Sequence, residues 1–308
     1  MAIVKTDVPM TSERSHAAVL ELVRRYPSIR AEEMTRTDFG RPVDVMVMGS
    51  GQRKVIFTAA HHANEWITAP VLLKFAEELA SALENGGRIF GVPARTLVKA
   101  STLYIVPMVN PDGVDLVTGA IPPGTAEYRR AEALAEYYPQ IPFPQGWKAN
   151  LNGVDLNLQY PAGWLRAREI KFSQGYDRPG PRDYVGRSPL SQREVQALAL
   201  LTEAVEPDIM VALHTQGEVI YWQFGGIEVP GARRLGEEFA RLSGYELADT
   251  PEESAYAGYK DWFIQRWRRP GYTVEAGLGE NPLPLDQFDR IYRDVLGILV
   301  TAATGLPN

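Results

Sequence analysis

The pattern that most narrows the fold lies between residues 54 and 109. An apolar run, "KVIFTAA" (54–60), is followed by the amphipathic "ITAPVLLKFAEELASALENGG", and a second apolar run, "TLYIVPMV" (102–109), comes after it. Gly86 and Gly87 stop the middle segment as a helix. Strand, helix, strand in this order is a parallel crossover, and it points to an open α/β sheet. In such sheets ligands bind beyond the carboxyl ends of the strands, so the residues that follow the apolar runs are where chemistry is expected.

The rest of the chain fits that plan. "TSERSHAAVLELVRRY" (11–26) reads as a helix capped by Thr11 or Ser12, and "PVDVMVMG" (42–49) as a strand. After Arg187, "SPLSQREVQALALLTEAVEP" opens with a capping box, Ser191-x-x-Glu194, and predicts a helix. "DIMVALHT" (208–215), "EVIYWQF" (218–224) and "GYTVEAG" (271–277) read as strands. "GARRLGEEFARLSG" and "PLDQFDRIYRDVLGILVTAAT" read as helices. Residues 111–187 are rich in proline and glycine without clear periodicity, which predicts long, functional loops. With no internal repeat and no linker, one domain over residues 1–308 is the economical expectation.

Composition removes several classes of function. The net charge of −6 leaves no basic stripe for nucleic-acid phosphates. No run of about 18 apolar residues is present to cross a membrane. "MAIVKTDVPMTSERSHAAVL" lacks the apolar stretch of a secretory signal, so a cytoplasmic location is expected. The chain has no cysteine, so any metal must be held by His, Asp or Glu.

Only four histidines occur, and two are adjacent in "TAAHHANEWITAP" (58–70). His62 and Glu65 form His-x-x-Glu between a predicted strand and a predicted helix, a spacing that also arises as plain capping chemistry. A catalytic zinc takes three nitrogen or oxygen ligands and keeps one position open. His214 ends the apolar run "MVALH", so two histidines stand at strand ends, where a core histidine is the alternative for each. Glu275 closes the apolar "YTVE". A carboxylate there is costly to bury unless it is paired or works as a general base.

"HHANEW", "ALHTQ" and "TVEAG", in this order, resemble the blocks of the zinc carboxypeptidase family, and "VNPDGVD" (109–115) and "GVDLN" (153–157) add to the likeness. The resemblance spans roughly residues 40–300. It implies a mixed, largely parallel sheet flanked by helices on both faces. It also implies one Zn2+ per chain held by His62, Glu65 and His214, with Glu275 as general base and His61 outside the ligand set. Lys148 falls where the family has an arginine that stabilises the oxyanion; Arg129 and Arg130 are nearby substitutes.

One departure bears on the substrate. Family members that trim C-termini carry an arginine after "GVD-x-N" to clamp the terminal carboxylate, and here the residue is Leu158. "WKAN", "LHTQGEVIYW" and "ENPLP" are similar to the bacterial γ-D-glutamyl-L-diamino acid endopeptidases, which implies a peptidoglycan-derived peptide as substrate. No LysM-like wall-binding module is recognisable. A true carboxypeptidase and a muropeptide-binding protein without catalysis are the alternatives. In "AYAGYKDWF" (255–263), Lys260 falls at the family's pocket floor, and Tyr256 or Tyr259 is the candidate for its mobile capping tyrosine. Asn157 and Gln159 are candidate substrate hydrogen-bonders, while Tyr221 and Trp222 are expected to pack.

Overall fold

The structure is a computed structural model, and it describes residues 2–306. The chain begins with helix Ser12–Arg25 (α1), then strands Ile29–Arg36 (β1), Pro42–Gly49 (β2) and Arg53–Ala59 (β3), helix Thr68–Glu84 (α2) and a two-residue hairpin, Arg88–Ile89 (β4) with Val92–Pro93 (β5). Helix Ala94–Ala100 (α3), strand Ser101–Val106 (β6) and helices Pro111–Val117 (α4), Ala126–Ala135 (α5), Trp164–Ser173 (α6) and Arg193–Val205 (α7) follow. The last part holds strands Ile209–His214 (β7) and Val219–Tyr221 (β8), helix Ala232–Ser243 (α8), strand Glu246–Ala248 (β9), helix Tyr259–Trp267 (α9), strand Gly271–Glu275 (β10) and helix Phe288–Thr304 (α10).

Eight strands form one sheet in the order β1-β2-β6-β3-β7-β10-β8-β9. The central strands β6, β3, β7 and β10 run parallel; β2 and β8 join them antiparallel, β1 pairs antiparallel with β2, and β9 pairs parallel with β8. Alternation sorts the side chains to two faces. Val55, Phe57, Val211 and Leu213 join the core under α1, α2 and α10, whereas Ile56, Met210 and Ala212 join the one under α7 and α9. This is the mixed, largely parallel, doubly covered sheet that the resemblance implies. Among the described residues no helix is long and apolar enough to cross a membrane.

Register aligns the ends that matter: Ala59 of β3 stands beside Leu213, and His214 of β7 beside Glu275 of β10. Three parallel strands therefore deliver their C-terminal residues to one rim.

The segment 111–187 differs from the expected loops, because it contains α4, α5 and α6. These helices are short, seven to ten residues, and none buries a broad stripe, so their periodicity is faint. β1 also escaped detection. It is an edge strand, "IRAEEMTR", whose charged residues face solvent on the open side. The three residues 107–109 lie beyond β6, where the apolar run had suggested that the strand continues.

The capping box at Ser191 and Glu194 does not form. α7 starts at Arg193 after Gln192, and Ser191 Oγ instead donates to Gln159 Oε1 at 2.8 Å. Glu194 turns inward, only 3% exposed, and accepts from Asn150 Nδ2 at 3.2 Å. Asn150 Oδ1 in turn accepts from the backbone N–H of Asn152 and Val154, so Glu194 supports the turn that separates Lys148 from Asp155.

Burial, with the Asp112 and Asp38 carboxylates adding to it, raises the Glu194 carboxyl from the usual range to about 7. A raised carboxyl stabilises the fold while it is neutral, and that contribution is lost as pH climbs from about 4.5 through 7. Glu194→Gln removes the loss. The variant is expected to match the parent at pH 5 and to exceed it at pH 8.5 by up to about 3 kcal/mol, read from urea unfolding at both pH values.

Candidate metal centre and active site

The turn between β3 and α2 is pinned from several sides. Ala60 adopts φ +49°, and its N–H donates to Thr68 Oγ1 at 3.0 Å. Asn110 N–H donates to Ala60 O and Ala63 N–H to Lys148 O, both at 3.0 Å. The Asn110 side chain bridges His61 O and Ala149 O. Gly113 lets α4 approach closely, since a Cβ there would lie 2.3 Å from Ala149 O. A single 3-10 turn, Ala63–Glu65, then aims Glu65 back toward the strand ends.

There His62, Glu65 and His214 converge, each offering one ligand atom within 4.8 Å of the others. Glu65 Oε1 lies 2.8 Å from His62 Nδ1, Glu65 Oε2 lies 2.8 Å from His214 Nδ1, and the two Nδ1 atoms are 3.3 Å apart. The outer nitrogen of His62 meets Asp155 Oδ1 at 3.2 Å, an orientation that leaves Nδ1 as the inward donor. Two imidazole nitrogens and a carboxylate around one point, with the fourth side toward a cleft, match the donor set of a catalytic zinc.

His61 faces the other way. It is fully buried, sits 3.2 Å from the Tyr160 hydroxyl and stacks on His214 with ring centroids 5.6 Å apart.

Charge is tightly matched here. Burial disfavours the cation of His62, but the Glu65 and Asp155 carboxylates outweigh it and push the group up to about 9. Burial works against the Glu65 carboxylate too, yet His62, Lys148 and His214 hold it well below the usual range. Lys148 Nζ is 3.1 Å from Glu65 Oε1. Burial lowers the Lys148 ammonium, and the carboxylates of Glu65, Glu275 and Asp155 together leave it above its usual range. Glu275 is raised, by burial first and then by Glu65.

A cleft of about 610 Å³ opens over this group, and His62, Lys148, Asp155, Asn157, Lys260 and Glu275 are among its walls. Several expectations change. Arg129 caps the backbone of Gly124, and Arg130 holds Leu151 O and Asn152 Oδ1; neither lines the cleft. Tyr259 is buried with its hydroxyl on Thr202 Oγ1 at 2.7 Å, so it is a core residue and not a mobile cap. Tyr256 packs edge-on against Phe224 and over Gly163, outside the cleft wall.

Gln159 is consumed by Val185 O, Ser188 O and Ser191 and is fully buried, which removes it from the substrate's reach. Asn157 lines the cleft, but its Oδ1 accepts from Tyr259 N–H at 3.0 Å. Tyr221 lines the cleft, contrary to a purely packing role. Lys260 lies at the cleft wall, paired with Asp261 at 2.5 Å and donating to Gln223 O at 2.7 Å. Leu158 is 8% exposed and anchors an apolar cluster with Trp164, Ala167 and Val185.

Asp155, Arg182, Asp183 and Lys171 are the site residues that sequence reading missed. The only signal was the aspartate inside "GVDLN", whose partner His62 lies 93 residues away.

Comparison with known proteins agrees with this geometry. Residues 16–295 match the family Peptidase M14, zinc carboxypeptidase. The chain is 44% identical over 284 residues to gamma-D-glutamyl-L-diamino acid endopeptidase 1 of Lysinibacillus sphaericus, covering 92% of this chain and 69% of that protein. It is 40% identical over 283 residues to the uncharacterized protein YqgT of Bacillus subtilis (strain 168), covering 91% and 73%. The crystal structure of carboxypeptidase A from Helicoverpa armigera superposes with a TM-score of 0.71 over 97% of this chain and 75% of that one; at 19% identity the likeness is one of fold.

The metal centre carries its own test. Asp155→Asn, which removes the carboxylate behind His62, is expected to weaken zinc retention about 10- to 100-fold against a competing chelator. His214→Ala is expected to leave less than one zinc per chain after dialysis, while the parent keeps one, measured by atomic absorption.

Proposed function

The chain belongs to the zinc carboxypeptidase family, and from that premise we propose that it hydrolyses the amide bond between γ-linked D-glutamate and a diamino acid in peptidoglycan-derived peptides. Meso-diaminopimelate and lysine are the diamino acids considered. The observation that carries the reading is Leu158. Where a C-terminal clamp needs a guanidinium, this chain places an aliphatic side chain packed into an apolar cluster. A peptide that continues past the cut is then not excluded for want of a terminal carboxylate. The 44% identical relative bears the name of such an endopeptidase.

In this reading His62, Glu65 and His214 hold the zinc. When bound, the ion would polarise the scissile carbonyl and make water a better nucleophile near neutral pH. The remaining work belongs to the chain's own side chains. Glu275, beside His214 at the strand ends, takes a proton from the attacking water as its oxygen bonds to the carbonyl carbon. It then delivers that proton to the leaving amine nitrogen as the carbon–nitrogen bond breaks. Burial raises the Glu275 carboxyl, which makes its carboxylate a stronger base for the proton of the attacking water in the first step.

Lys148 presents its ammonium beside Glu65 and balances the charge growing on the carbonyl oxygen. Asp155 keeps the His62 ring in place. Lys260, ion-paired to Asp261 and donating to Gln223 O, shapes the cleft wall and sets the local charge there.

Incubation with L-Ala-γ-D-Glu-meso-diaminopimelate is expected to release free diaminopimelate, detected by mass spectrometry, and phenanthroline is expected to stop it. A peptide whose C-terminus is blocked as the amide should also be cut; failure on the blocked peptide alone would favour the exopeptidase alternative. Glu275→Gln is expected to keep its zinc and lose about 10²- to 10⁴-fold in kcat. Lys148→Met is expected to lose about 10²- to 10³-fold.

A further inference from the structure

We propose that Arg182 is a specificity-determining residue that reads a free carboxylate on the acyl side of the cut, and so selects a γ-linked glutamyl residue over an α-linked residue with a neutral side chain. The inference rests on the reading of the cleft as a peptidase site.

Arg182 sits in "PGPRDY" (179–184), a stretch without periodicity, yet its backbone is firmly held. Lys148 N–H and Ala149 N–H donate to Pro181 O at 2.7 and 2.9 Å. Asp155 N–H donates to Tyr184 O at 2.9 Å, and Asp183 N–H donates to Asp155 Oδ2 at 3.3 Å. The residues on either side of Arg182 are thus bonded to Lys148, beside the metal centre, and to Asp155, which orients His62.

The side chain is oriented as well. Arg182 Nε lies 2.7 Å from Asp183 Oδ2, while Asp183 Oδ1 is held by Lys171 Nζ at 2.8 Å. Asp183 therefore divides its charge between two cations. The terminal nitrogens of Arg182 make no hydrogen bond among the described residues, and it is the one arginine among them that lines the cleft. A guanidinium fixed at Nε with its outer fork open is a bidentate carboxylate site.

The substrate's chemistry supplies the matching group. In a γ-linked glutamyl residue the scissile carbonyl comes from the side chain. The α-carboxylate stays free, a short aliphatic spacer away on the acyl side. Lys148 faces the carbonyl oxygen in the reading above, and Arg182 stands next to Lys148 in the fold. An α-linked residue with a neutral side chain places no carboxylate in that region and gains nothing from the fork. The arginine lost at position 158 would have read a carboxylate on the leaving-group side, so Arg182 is a cation for the opposite end of the bond.

The test pairs two peptides that differ in one group: L-Ala-γ-D-Glu-meso-diaminopimelate and its counterpart with the glutamyl α-carboxylate converted to the carboxamide. The readout is the ratio of their kcat/KM values in the parent, Arg182→Gln and Arg182→Lys, with circular dichroism and zinc content checking each variant. The parent is expected to favour the carboxylate peptide by about 10- to 100-fold, Arg182→Gln to bring the ratio near unity, and Arg182→Lys to restore part of it. An unchanged ratio in Arg182→Gln overturns the proposal, even where the overall rate falls. A parent that cuts both peptides equally also overturns it, while leaving the peptidase reading intact. A parent that cuts neither peptide overturns the peptidase reading and Arg182 with it.

Discussion

The carboxylate of Glu65 is the group around which this structure is arranged. A bare carboxylate at 1% exposure is costly to bury, and it survives only if charge and donors surround it. His62, His214, Lys148 and the Thr215 N–H all point at its two oxygens. They arrive from different parts of the chain: the β3–α2 turn, the end of β7 and a loop after α5. A shift of any of these elements would leave a buried charge unmatched. The same carboxylate is thus placed to act as a metal donor and ties the strand ends to the long middle segment.

A second buried network holds that middle segment to the sheet. Arg41, just before β2, meets Asp112, Asp115 and Glu127 at 3.0, 2.7 and 2.8 Å. Ser12 and Thr37 add hydrogen bonds to Asp115 and Asp112. Together they fasten α4 and α5 against α1 and the edge of the sheet. Asn110 caps α4 and grips the backbone on both sides of the site, so this network fixes the height of the loop carrying Lys148. Residues 111–187 thus join this polar network to small apolar clusters of their own, whereas the sheet and its covering helices rest on the large apolar cores.

That division explains what the sequence made legible. Parallel strands buried on both faces write themselves as apolar runs, and a metal site at their ends leaves His and Glu where the runs stop. His62, Glu65, His214 and Glu275 could be read for that reason. The places of Asp155 and Arg182 in the cleft could not, because they depend on contacts with residues scattered across the chain in a segment without periodicity. Arg129, Arg130 and Tyr259 misled in the opposite way. Being near a motif in sequence says little once a helix intervenes: α5 turns the two arginines outward, and the buried start of α9 commits Tyr259 to Thr202. Ser191 had the spacing of a cap, but the fully buried Gln159 competes for its hydroxyl, and a buried amide has the stronger claim on a partner.

The charge balance of the cleft bears on how a substrate is chosen. Lys148, Lys171, Arg182 and Lys260 line it against Asp155, Asp183, Asp261, Glu275 and Glu280, and Glu65 lies just beneath. Four cations against six anions become neutral with one divalent ion. A cleft without net charge gains little from long-range attraction, so selection falls to the groups that keep hydrogen-bonding capacity after internal pairing. Most do not keep it: Asp155 is committed to His62 and to a backbone N–H, and Lys260 to Asp261. The outer fork of Arg182 and the half-buried carboxyl of Glu275 remain open. One suits a substrate carboxylate and the other a proton in transit, so the two groups that the internal network leaves unsatisfied are the ones the proposed reading assigns to recognition and to proton transfer.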